Sequence, residues 1–134
     1  MRRVISRVHQ GLAWLVLAGV LLQFYLAGMA LFGVGSFELH RTLGYLLAVP
    51  VVLLLALALA GRLGRFLIGL SALLVLLTIV QIMLPSLRGS TSWIAALHPV
   101  NALALLGISA AIGRQRWAER ERGAGLAVNK EAQS

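Results

Sequence analysis

The sequence predicts an all-α integral membrane protein, a four-helix up-down bundle with both termini in the cytoplasm. Three observations predict it. Hydrophobic residues make up 60% of the 134-residue chain and charged residues 12%, with a mean hydropathy of +0.91; that is too little charge to cover a soluble domain of this size. Four charge-free stretches stand out, Val8 to Phe37, Thr42 to Gly61, Phe66 to Leu87 and Gly89 to Gly113, and each reaches the ~20 apolar residues needed to cross a bilayer. The cations are one-sided as well. Ten Lys and Arg residues fall in the N-terminus, the connection between the second and third stretches, and the C-terminal tail, against Arg41 and Arg88 in the other two connections. The positive-inside rule places the ten in the cytoplasm and those two outside.

Residues 1–122 read as one transmembrane domain and 123–134 as a disordered cytoplasmic tail. The charged start (Arg2, Arg3, Arg7) resembles a signal peptide, but Leu12 to Phe32 exceeds the ~7–15 residues of a signal core, so the segment reads as a retained helix over 10–32. Gly33 to Ser36 makes the first turn. Helix two is expected over 37–60, with Ser36 as N-cap, Glu38 in the first turn and Pro50 as a tolerated kink. The short link Gly61 to Arg65 makes helices two and three antiparallel neighbours. Helix three is expected over 66–84, stopped by Pro85, then a polar loop from Ser86 to Ser92, then helix four over 93–120. Gly19, Gly28, Gly44, Gly69, Gly107 and Ala111 are small enough to let helix backbones approach closely. No repeat with a period of 20 to 50 residues is visible.

Several functions are excluded by composition. The net charge of +8 does not mark a nucleic-acid binder, because the arginines flank apolar runs rather than line one face. Without cysteine there are no disulfides, iron–sulfur clusters, thiolate metal sites or covalently attached haem. Glu38 is the only acid on the outer side, which leaves proton-coupled transport no buried relay.

Polar residues inside apolar helices cost free energy unless paired, hydrated or ligated. Here they are Gln23, His40, Gln81, His98 and Asn101. With odd helices running outward and even helices inward, all five fall in the outer half of the bundle; the inner half contributes almost nothing polar beyond Ser71 and Ser109, whose hydroxyls can bond back to their own helix. His40 and His98 start helices two and four, which in an up-down bundle are diagonal across the core. A haem needs two neutral imidazoles on opposite faces of its iron, and diagonal helices provide that separation. Gly44 lies one turn below His40, and Ala95 and Ala102 flank His98, leaving room for a flat ring. Arg41 and Arg88 are placed to meet haem propionates, with Gln23, Gln81 and Asn101 as supporting donors.

The plainer role for each group alone is hydration or a hydrogen bond to a carbonyl, with the amides linking helices. Measured from Arg62 and Arg114, His40 lies 22 residues and His98 16 residues from the inner boundary, an offset of ~9 Å in a continuous helix. Pro99 disfavours helical geometry at His98, so a helix four that begins at Pro99, with Trp93 to Leu97 as an interfacial turn, would remove the offset. His9 sits at the opposite end and reads as an interfacial residue among basic neighbours; Trp14, Trp93 and Trp117 read as interface and packing residues. The arginines of the C-terminal tail suit lipid headgroups, or a docking partner.

The segments Ser36-Phe37-Glu38-Leu39-His40-Arg41-Thr42-Leu43-Gly44-Tyr45 and Ala96-Leu97-His98-Pro99-Val100-Asn101-Ala102-Leu103 resemble a family of small bacterial four-helix membrane proteins of unknown function. The resemblance implies the architecture and a bacterial cytoplasmic (inner) membrane. More loosely, the His-Arg-x-x-Gly start and the second histidine look like membrane b-type cytochromes and haem A synthase-like bundles, which carry haems on both membrane sides where this chain has ligands for one.

The expectation is therefore a b-type cytochrome, with one haem b held by His40 and His98 near the outer face and electrons passed to a quinone or a periplasmic or extracellular partner. The alternative is a cofactor-free accessory or assembly subunit of a larger membrane complex, or an oligomer, in which the outer polar cluster only joins helices. A copper ion on two histidines lacks the Met or carboxylate ligands to complete it.

Overall fold

The computed structural model describes the backbone of residues 1–131 and the side chains of residues 1–115. It is all-helical, with no strand among the described residues: α1 (Arg2–Leu31), α2 (Phe37–Ala60), α3 (Arg65–Met83), a 3₁₀ segment (Leu84–Gly89), α4 (Ser92–Ala95) and α5 (His98–Glu131). Four segments are long and apolar enough to cross a membrane, with the fourth formed by α4 and the first part of α5. α1 packs on α2 and α5, and α3 packs on the same two helices. α2 and α5 therefore stand across the bundle from each other.

Local chemistry sets the helix ends. The Ser36 hydroxyl accepts from the Glu38 backbone N–H at 3.3 Å, the expected N-cap of α2. Pro50 sits inside α2 without ending it. Pro85 stops α3, since it has no N–H to give to Gln81 O, and the chain tightens into the 3₁₀ segment rather than an open loop. The expected fourth helix is broken. Ser92–Ala95 is a separate single turn, and α5 starts afresh at His98 with Pro99 in its first turn, where a missing N–H costs nothing. α1 begins at Arg2 rather than near Gln10, and the backbone of 123–131 continues α5 where composition suggested none. Residues 132–134 of that tail lie outside the described part of the chain.

The packed core is small and lies below Gln23, His40, Gln81, His98 and Asn101. Ala13, Val16, Leu54, Leu74, Leu105 and Ile112 close it, while Leu15, Val49, Val52, Leu76 and Leu103 face outward. Apolar side chains on both the inner and outer surfaces are the mark of a bundle whose outside is hydrocarbon. Among the glycines, Gly19 meets Leu47, but Gly28, Gly69 and Gly107 face open space. The close-approach reading therefore fails at those three. Gly113, which was not singled out, lies under the Trp14 indole, where a Cβ would come within 2.8 Å of the ring.

The end of the bundle away from His40 and His98 carries a polar contact that the sequence did not suggest. His9 is 2% exposed, and its Nε2 lies 3.1 Å from the Ser71 hydroxyl. His9 is thus buried across the bundle rather than interfacial, and Ser71 serves it. Ser109 does bond back to its own helix, at Leu105 O.

Candidate functional site

His40 lies in the first turn of α2, and His98 opens α5. Their ring centroids are 6.1 Å apart, with the planes tilted by 58°. The two imidazoles therefore share one level, and the break before His98 is what brings them there.

Each ring is held by a backbone carbonyl of the preceding helix. His40 Nδ1–H donates to Gln23 O and His98 Nδ1–H donates to Gln81 O, both at 3.1 Å. A carbonyl can only accept, so both neutral rings carry their proton on Nδ1 and their lone pair on Nε2. Phe37 adds an edge-on contact to His40, with centroids 6.0 Å apart. A second bonding set surrounds His98: Gln81 Nε2 lies 3.1 Å from His98 Nε2, and Asn101 Nδ2 donates to Gln81 Oε1 at 2.7 Å and to Leu77 O at 2.9 Å. The Gln23 amide differs, because its Oε1 and Nε2 are buried with no partner among the described residues.

These residues surround a cavity of about 840 Å³. His40, His98, Gln23, Gln81, Gly44, Arg41 and Arg88 all line it; Asn101 does not, and acts on it through Gln81. Its floor is apolar, from Val16, Val20, Val51 and Leu105, and Arg41 and Arg88 bring cations to its wall. Gly44 keeps one side open: a Cβ there would stand 3.2 Å from Gln23 Nε2. Among the described residues no three His, Cys, Asp or Glu side chains gather anywhere, so a metal between these imidazoles must take its other donors from a bound group.

The cavity wall also shows a repeat, at a period longer than 50 residues. Lining residues recur at an interval of 58: Val20 and Thr78, Gln23 and Gln81, Phe24 and Ile82, His40 and His98, Gly44 and Ala102, Leu47 and Leu105. Each half of the chain is a helix bearing a Gln, a turn, and a helix started by a His 17 residues later. The signal was present as Gln-x16-His twice. It was hidden because, of the other paired positions, Leu47 and Leu105 alone are identical.

No curated protein and no solved structure matches the chain. A family described as a family of unknown function, DUF6220, matches over residues 23–89, a stretch that includes Gln23, His40, Gln81 and Arg88 and ends before His98. That stretch is half of the chain, and together with four helices able to span a membrane it shows that the protein belongs to the DUF6220 family.

Proposed function

We propose that the protein is a membrane cytochrome of b type, holding one haem b between His40 and His98 in the outer half of the bilayer and exchanging electrons on that side. The observation that carries this reading is the facing pair of imidazoles, with both Nδ1 protons engaged by carbonyls, the His40 Nε2 lone pair without a partner among the described residues, and the His98 Nε2 lone pair met only by the Gln81 amide. Two imidazoles bound through Nε2 at the ~2 Å of an ordinary metal–nitrogen bond have centroids about 6 Å apart when they flank one metal ion, and the spacing here is 6.1 Å.

Other features fit the same group. The cavity volume of about 840 Å³ falls within the roughly 300–1,000 Å³ of cofactor sites. An apolar floor with Arg41 and Arg88 in the wall suits a flat apolar body with an anionic edge. The buried, unpartnered Gln23 amide and the open cradle at Gly44 are features that a bound ring would complete.

Held by His40 and His98, haem b would supply a one-electron couple. The chain's own residues do the rest. Gln23 O and Gln81 O fix the imidazole tautomers and raise the basicity of Nε2. Arg41 and Arg88 would balance the negative charge of the haem edge. With helices joined by short turns, an up-down bundle in a bacterial inner membrane with both termini inside is the arrangement that the arginine distribution supports. The exchange partner is then a quinone in the bilayer or a protein at the outer face.

The test is the absorption spectrum of protein purified from haem-replete cells. The reading predicts red protein with sharp low-spin reduced-minus-oxidised bands, which are lost in both His40→Ala and His98→Ala. Colourless protein that co-purifies with a larger complex would instead favour the accessory-subunit alternative.

A further inference from the structure

The two halves of the site differ in what holds each Nε2, and this difference bears on the haem reading on which the inference rests. In the first half, no donor among the described residues reaches His40 Nε2, and the Gln23 amide is unpartnered. In the second half, Asn101 grips Gln81 Oε1, and the Gln81 amide then donates to His98 Nε2. The residue 58 places before Asn101 is Leu43, which has no polar group with which to hold Gln23 in the same way. The chain around the two rings differs too. His40 follows three helical residues of α2, whereas His98 is the first residue of α5, after a break and before Pro99.

One lone pair cannot serve both a metal and an N–H donor. We propose that His98 is the displaceable one of the two axial ligands, with Gln81, positioned by Asn101, as the waiting partner for its released Nε2, and that the site thereby admits a neutral diatomic gas on the His98 face. A released imidazole would otherwise leave a part-buried ring nitrogen unsatisfied, which is the usual obstacle to such exchange. Ala102, one turn below His98, leaves space beside the ring. His40 stays as the fixed ligand. Asn101 and Gln81 act as positioning residues.

The full chain, reduced anaerobically in detergent, is titrated with carbon monoxide and followed by absorption. The expected result is a saturable shift of the main haem band. Asn101→Leu should weaken the gas affinity about fivefold, the effect of one neutral hydrogen bond, and Gln81→Leu at least as much. His98→Ala should retain haem in five-coordinate form and bind carbon monoxide at least about tenfold tighter than wild type, while His40→Ala should lose haem. Haem-containing protein whose spectrum is unchanged at saturating carbon monoxide overturns the inference and leaves the haem site standing. So does binding indifferent to both Asn101→Leu and Gln81→Leu, or retention of haem in His40→Ala but not in His98→Ala. Protein with no haem spectrum overturns the haem reading itself. If Gln81→Leu does not fold, the wild-type titration and Asn101→Leu decide the matter.

Discussion

A neutral imidazole that gives its Nδ1 proton to a carbonyl has one lone pair left, and at His40 and His98 that lone pair lies on Nε2, beside a shared cavity. Filling the cavity should therefore remove the ligand without removing the fold. Gly44→Leu is expected to abolish haem incorporation while the far-UV circular dichroism stays that of wild type, since its side chain would enter the cradle beside Gln23. The other end of the bundle tests the opposite case. Ser71→Ala leaves the buried His9 Nε2 without its partner and should cost about 1–3 kcal/mol of stability, read as a lower midpoint in detergent unfolding, with the haem bands unchanged. At this scale the sequence was legible where polar residues are rare: six of the seven residues named for the cavity are polar or charged, and Gly44 came from helical spacing to His40. It was not legible where the backbone acts. The carbonyls of Gln23 and Gln81 hold the rings, and any residue has a carbonyl. His9 was misread because its basic neighbours suggest an interface, whereas its depth is set by the opposing Ser71 on α3.

Helix ends decide which residues meet. The break at Ala96 and Leu97 lets α5 begin at His98, and Pro99, with no N–H to give to Ala95 O, bars a continuous hydrogen-bond ladder there. Pro99→Ala should let helix continue through that break, drawing His98 off the level of His40. The expected outcome is a lower haem-to-protein ratio than wild type at equal expression, measured on purified protein. A ratio equal to wild type would show that packing, rather than Pro99, sets the break. Hydropathy located α2 and α3 to within a residue because Ser36, Gly61 and Pro85 punctuate them. It misplaced the outer limits of α1 and α5 because helix and membrane are different things. Arginine and glutamate are good helix formers, so a helix continues where the apolar run has ended.

For the whole molecule, orientation is the consequence that the charge distribution carries furthest. The chain has no cysteine, so single cysteines report cleanly. Val34→Cys and Ser90→Cys should react with an impermeant maleimide on intact cells, and Val4→Cys only after permeabilisation; the reverse pattern would invert the bundle. The 58-residue correspondence was the global feature least visible in the letters, because a duplicated arrangement preserves which positions face the cavity rather than which residues occupy them. On the proposed reading its consequence is one histidine ligand per half, and so one haem per chain. The most direct measurement of that claim is the haem content of the purified protein together with the electron paramagnetic resonance spectrum of its oxidised form. The account predicts one haem b per chain with a low-spin signal from two imidazole ligands. Protein without haem, or with haem whose signal stays low-spin in the His40→Ala, His98→Ala double variant, would contradict it.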